Sequence, residues 1–285
     1  MDPTGGLARG CRIAEPAWLR RLAAFAACLL ALAAQANVFV EDRRQQQDAA
    51  QPPWRSVGVL RDARSGAGGT AFLVGSCHVV SAQHVARPKG RTGQVIEFFI
   101  GADPTQPRRF ASRSRARVMA AGRFSARHYE GMAGDWVVLR LDSCLGTRYG
   151  FLRLARAPVQ SPMPQGELAV AGFPHSRAHL SGITVERGCK ARDHGPISGL
   201  VGVDCAFESG MSGGPILEYQ RGRGWRVVGL VQQSLGSVTG ILDDYSMLHR
   251  NQMLSVSTFG PAVEQVLREE AWRALPQPAT GRRSP

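Results

Sequence analysis

The 285-residue sequence is short of acid, carries one long apolar run and has no internal repeat. Its 22 Asp and Glu face 35 Lys and Arg, a net charge of +13. Charged residues make up 20% against 44% hydrophobic, which excludes a disordered polar chain. The one apolar run spans Leu22 to Ala34 and is 13 residues long. A bilayer span takes about 20 residues, so a polytopic membrane protein is excluded. Six cysteines are too few for a small disulfide scaffold. No cluster has metal-ligand spacing, so no metal and no cofactor is expected. No nucleic-acid fold signature and no interleaved aromatic set accompany the basic residues, which argues against a nucleic-acid partner. Gly (33) and Pro (17) are abundant among β-branched runs, the composition of strands and turns. The length suits one large domain or two small ones.

Residues 1–36 read as a leader to be set aside. Arg9, Arg12, Arg20 and Arg21 form a basic segment before the apolar run, and Ala34-Gln35-Ala36 is a small-x-small cleavage signal. The rival reading is an uncleaved anchor. Cleavage would start the mature chain at Asn37 and remove four arginines, two acids, Cys11 and Cys28. The mature charge is then +11, and Cys77, Cys144, Cys189 and Cys205 remain. Export to the periplasm or the medium is oxidising, and an even cysteine count there points to disulfides.

Beyond a polar arm (Asn37 to Pro53), short apolar runs alternate with turn residues. Strands are expected at 56–60, 70–74, 78–82, 94–100, 115–120 and 136–141. A second set is expected at 167–172, 181–187, 200–204, 214–218, 225–232 and 253–257. Regularly spaced short strands argue for an all-β sandwich or barrel pair. One helix is expected at 261–275, with Pro261 near its start and Val263, Val266, Leu267 and Trp272 near one face. Residues 276–285 read as a disordered tail. Residues 107–128 hold seven Arg and no acid. Arg113, Arg115 and Arg117 alternate, so on a strand they share one face, either a solvated face or a patch for anionic surfaces.

Three short segments carry chemistry. Gly210-Met211-Ser212-Gly213-Gly214-Pro215 offers a hydroxyl on a glycine-rich turn, with backbone N–H groups beside it to meet a developing oxyanion. Val79-Val80-Ser81-Ala82-Gln83-His84 runs a strand into a turn that presents an imidazole. Gly134-Asp135-Trp136-Val137 sets an acid directly before an apolar strand, where a carboxylate can be buried beside a histidine. Each alone is ordinary. Together they stand in the order His, Asp, Ser, with gaps of 51 and 77 residues.

In these residues the chain resembles the trypsin/chymotrypsin-like serine peptidases. The resemblance covers most of residues 41–273. It implies an all-β fold of two six-stranded antiparallel barrels, at about 54–150 and 160–258, followed by the C-terminal helix in a domain spanning 37–275. It implies that Ser212 is the nucleophile, His84 the general base, Asp135 the orienting carboxylate, and Gly210 and Ser212 the oxyanion hole. The substrates implied are proteins or peptides, and a monomer is expected. Phe39-Val40-Glu41-Asp42-Arg43-Arg44, Pro53-Trp54-Arg55 and Ala171-Gly172-Phe173-Pro174 are similar to segments of a bacterial exported branch related to glutamyl endopeptidases.

The chain departs from the family pattern in three places. Gly69 and Val85 stand where a cysteine pair usually flanks the histidine. The four remaining cysteines allow three connectivities. Cys189 with Cys205 is the preferred pair, since both lie on segments leading to Ser212, and Cys77 with Cys144 is what remains. Met211 offers no anion to a newly cut N-terminus, so activation through that ion pair is not expected; a new terminus at Asn37, or after Arg43 or Arg44, is the remaining route. The specificity positions correspond to Phe207 and the Val231-Gln232 region, with Ala206 at the pocket base. None is a cation or an acid, so a neutral or small side chain before the scissile bond is expected. An inactive binding module and an envelope quality-control protease are the rival functions.

Overall fold

The computed structural model describes residues 39, 42–86, 95–163, 167–177, 182–194, 197–235, 245–246 and 250–274. The expected leader and C-terminal tail lie outside these residues. No helix among them is long and apolar enough to cross a membrane.

A short strand β1 (Gln45–Gln47) leads into β2 (Val57–Asp62), β3 (Gly68–Leu73) and β4 (His78–Ser81). A four-residue helix α1 (Gln83–Ala86) follows β4 directly. Then come β5 (Ile96–Ala102), β6 (Phe110–Ala121) and β7 (Val137–Leu141). These strands, β1 excepted, pair in the order β2-β3-β4-β7-β6-β5 and close into a barrel. Closure removes the unpaired edges that an open sheet would expose. The interior is filled by Leu60, Leu73, Phe98, Ile100, Leu139 and Leu141, all buried and on one face by register. Along β6, Arg113, Arg115 and Arg117 are exposed while Ser114 and Ala116 are buried, the two-residue alternation the sequence shows.

After a short helix α2 (Gly146–Tyr149), eight strands form the second sheet. They are β1 with β8 (Leu168–Gly172), β9 (Ile183–Cys189), β10 (Ala191–His194), β11 (Leu200–Val203), β12 (Pro215–Gln220), β13 (Gly224–Leu235) and β14 (Arg250–Ser255). Their order is β1-β9-β8-β12-β13-β14-β11-β10. Only Lys190 separates β9 from β10. The two halves of one bent strand therefore sit at opposite ends of the β8-to-β11 ladder, and the sheet curls round on itself through the chain. Cys189 bonds to Cys205 at this bend, and Cys77 bonds to Cys144 in the first barrel.

All twelve expected strands are present. The polar strands β1 and β10 are the additions. Both are held by backbone pairing, Gln46 opposite Thr184 and Ala191 opposite Val203, and neither needs the apolar alternation that marks a strand in sequence.

The helix begins earlier than its sequence suggests, as α3 (Val256–Ala274), with Pro261 inside it. Ser255, the last residue of β14, caps it by accepting the Ser257 N–H on its hydroxyl (3.3 Å). Val256, Phe259, Val263 and Val266 are buried and hold the first turns in place despite the proline. Trp272 does not join this face; it is 67% exposed. Nine residues separate it from Val263, which at 100° each puts it on the opposite side.

Glu270 ties α3 to the first barrel by contacting Arg140 and lying 3.1 Å from His78 Nε2. His78 is buried, and that burial holds its pKa below 6.5; Glu270 opposes the shift and Arg140 adds to it. A histidine with a lowered folded-state pKa binds fewer protons folded than unfolded. Its contribution is complete above pH 6.5 and is lost as pH falls below that value. Urea unfolding should therefore show lower stability at pH 5 than at pH 7, with a smaller difference in His78→Gln. An equal difference in both proteins would overturn this assignment.

Candidate active site

Helix α1 follows β4 without a loop, and β4 pairs with β7, placing Val80 opposite Val138 and Ser81 opposite Val137. That register sets Asp135, two residues before β7, beside His84, three residues after β4. His84 Nδ1 lies 2.6 Å from Asp135 Oδ2, and the His84 backbone N–H donates to Oδ1 at 2.9 Å. Asp135 is wholly buried, and Gln232 Nε2 lies 3.5 Å from its Oδ2. Several hydrogen-bond donors thus converge on a carboxylate withdrawn from water, the condition under which a buried charge is tolerated. The Phe124 ring stands 6.0 Å from the His84 ring, and Gln83 Oε1 accepts the Phe124 N–H at 3.1 Å. The imidazole is therefore held on one side by the acid and flanked by an aromatic ring.

The serine turn is built against the first barrel. Thr70 N–H donates to the Ser212 carbonyl (2.9 Å), and Thr70 Oγ1 donates to the Gly210 carbonyl (2.8 Å). Gly213 has φ +81°, and a Cβ there would lie 2.3 Å from Ser81 Oγ and 2.7 Å from Ala82 N. Only glycine fits both the backbone angle and the space. This close approach sets the turn against the strand end that carries His84. The backbone donors alternate in use. Met211 N–H goes to Glu208 O (3.0 Å) and Gly213 N–H to Val231 O (2.8 Å), whereas Gly210 and Ser212 N–H have no acceptor among the described residues. Two uncommitted donors flanking a partly exposed serine can stabilise an anion. Gly69 and Val85 face each other, since a Cβ on Gly69 would come within 2.8 Å of Val85 Cγ2. Packing stands there where the family usually has a cysteine pair.

The three expected specificity positions are all buried. Phe207 and Val231 pack into the apolar core. Gln232 is buried and turns its amide to Asp135. Gln232 sits at a register shift between Val231 and Gln233, a bulge that re-aims its side chain away from that of Val231. Glu208 is engaged as well, with its carboxylate 3.1 Å from Arg44 and in contact with Ser176. Arg44 also pairs with Asp42 (2.9 Å). Arg43 lies 3.1 Å from Glu186, whose other oxygen accepts the Ala206 N–H at 2.6 Å. Burial pushes the Glu186 carboxyl up, opposed by that N–H and by Arg43. The arm before β1 thus holds the loop leading to Ser212 directly, through Arg44 and Glu208, and indirectly, through Arg43, Glu186 on β9 and the Ala206 N–H. Met211 is fully buried and takes no part in them.

Sequence reasoning brings out His84, Asp135 and Ser212. It misses Thr70, which looks like any strand threonine, and the role of Gln232, which sits at a register shift in β13.

A closed barrel that carries a histidine–carboxylate pair and packs against a glycine-rich serine turn defines a trypsin-like scaffold. Residues 69–230 match the trypsin-like peptidase domain, and the chain belongs to that family. It shares its fold with a solved structure described as a Glu endopeptidase in complex with MPD. The TM-score is 0.60 at 15% identity, covering 82% of this chain and 99% of the other. No curated protein matches the sequence.

Proposed function

We propose that the chain is an exported serine endopeptidase, secreted or periplasmic, that cleaves protein or peptide substrates through an acyl-enzyme. The observation that carries this reading is the 2.6 Å contact between His84 Nδ1 and buried Asp135, on a strand end packed against the Ser212 turn. In this reading Ser212 Oγ attacks the scissile carbonyl carbon while His84 Nε2 takes its proton. Asp135 keeps Nδ1 protonated and stabilises the imidazolium. The N–H groups of Gly210 and Ser212 receive the oxyanion. His84 then delivers the proton to the leaving amine as the C–N bond breaks, and water repeats the sequence on the acyl-enzyme. Two disulfides fit the oxidising destination, and the mature unit is residues 37–275. Fluorophosphonate labelling tests the reading. Wild-type protein should be modified at Ser212, and Ser212→Ala should not. Absence of labelling in correctly folded protein would favour a binding module on the same scaffold.

A further inference from the structure

A cavity of about 300 Å³ opens between β2, the β5–β6 turn and the segment after β8. One wall touches the serine turn. A Cβ on Gly69 would lie 2.8 Å from the Ser212 carbonyl oxygen, and a Cβ on Gly210 would lie 2.7 Å from His175 Cδ2. His175 is fixed to that turn, its N–H donating to Ser209 O (2.9 Å) and its Nδ1 lying 3.2 Å from Ser209 Oγ. Phe207 and Val231 back the turn elsewhere, with Val231 exchanging hydrogen bonds with Gly213 and Gly214.

The charge in this cavity is unbalanced. Arg61 and Arg108 both line it, and neither has a carboxylate within ion-pair distance among the described residues. The Arg61 pKa is lowered by burial and by the positive charge of Arg108. Its guanidinium lies over the Phe99 ring, 5.5 Å from the centroid, which limits its retreat. Arg108 is held at φ +60°, a left-handed conformation in a residue other than glycine, at the tip of the β5–β6 turn. Such strain in a non-glycine residue gathers at ligand sites. The other charged lining groups are occupied. Asp103 accepts from Thr105 N–H and Oγ1, and Arg177 pairs with Asp42 at 2.8 Å. Burial, then Arg61 and Arg108, lowers the His175 pKa, with Glu208 opposing.

We propose that this cavity is a subsite for the leaving half of the substrate and takes a carboxylate there, held between Arg61 and Arg108. The inference rests on the peptidase reading. In the peptidase reading the specificity positions Phe207 and Val231 mark the acyl side of Ser212, and the amine half extends the other way, toward Gly69 and His175. Two guanidiniums without counter-ions recognise an acid by charge-assisted hydrogen bonds. The acid is supplied by an Asp or Glu side chain, or by the free C-terminus of a short leaving group.

Quenched peptides of one common sequence test it, with Asp or Asn placed at the first, second or third position after the scissile bond. A parallel set ends two residues beyond the bond, with a free or an amidated C-terminus. At one position, or for the free terminus, the acid should raise kcat/KM by about tenfold over its neutral counterpart. Arg61→Gln/Arg108→Gln should bring that ratio near one, while Arg113→Gln/Arg115→Gln, of equal charge change, should keep it. The ratio is internal to each protein, so a general loss of activity does not move it. Equal rates for acid and neutral peptides in every arm, or a ratio retained in Arg61→Gln/Arg108→Gln, would overturn the proposal. The peptidase reading fails separately, through absent fluorophosphonate labelling. In that case binding of the acidic peptide to Ser212→Ala, measured by calorimetry against its neutral counterpart, decides the cavity alone. A tenfold preference lost in Ser212→Ala/Arg61→Gln/Arg108→Gln supports the carboxylate site, and equal binding removes it.

Discussion

Ser212→Ala should lower kcat by about 10⁶-fold while leaving stability almost unchanged. The two halves of this expectation have separate physical sources. The Ser212 hydroxyl is the atom that would form the acyl bond, and no other side chain on the turn can replace it. What holds the turn is the Ser212 backbone, whose carbonyl accepts from Thr70, with Gly213 seated against Ser81 and Ala82. Removing one oxygen from a partly exposed side chain breaks none of those contacts. The two N–H groups at Gly210 and Ser212 remain, so some rate above the uncatalysed reaction should survive. Burst kinetics on an ester and steady-state kinetics on a peptide, run beside urea unfolding, give both quantities. Residual peptide hydrolysis above a few per cent in highly purified variant would remove Ser212 from the chemistry.

Asp135→Asn should cost about 10⁴-fold in kcat, or roughly 5 kcal/mol of transition-state stabilisation. Asp135 accepts two hydrogen bonds from His84, one from the backbone N–H and one from Nδ1. An asparagine has one acceptor oxygen and an NH2 group. If its oxygen serves the backbone N–H, the NH2 group faces Nδ1 and selects the tautomer with Nδ1 unprotonated. The other ring nitrogen then carries the proton and cannot take one from Ser212. The charge that would stabilise an imidazolium is gone too. This differs from Ser212→Ala in that the substituted residue is wholly buried, so some stability should be lost as well. The kcat ratio and the unfolding midpoint measured together separate the two effects. A kcat within tenfold of wild type would show that Asp135 does not orient His84.

Parts of this fold were legible because burial on one face writes itself into sequence. Strands such as β7, with Val137, Val138, Leu139 and Leu141 buried, announce themselves by runs of apolar residues. The order of His84, Asp135 and Ser212 was legible for a similar reason. Each sits at a strand end beside turn residues, where chemistry and backbone requirements coincide. The strands β1 and β10 were not legible, because backbone hydrogen bonds to a neighbour leave no apolar trace. The start of α3 was obscured by Pro261, whose local penalty is outweighed by a buried face and the Ser255 cap.

The specificity positions show a different limit. Resemblance to the family placed Phe207, Val231 and Gln232 as specificity positions, but where each side chain points is set by packing and by the register shift in β13. Phe207 and Val231 went to the core and Gln232 to Asp135.

By itself the sequence determined an all-β chain with four cysteines after residue 36, a basic balance, and three chemical groups in a set order. These follow from composition, from two-residue periodicity and from the residues that a tight turn demands. Only the tertiary structure decided which groups meet. Arg61, Arg108 and His175 lie on separate segments of the chain, and nothing local links them. They share a cavity because the first barrel and the segment after β8 pack against the same serine turn. Proximity between residues so far apart is set by how the strands close and pack, and one-dimensional periodicity carries no record of that.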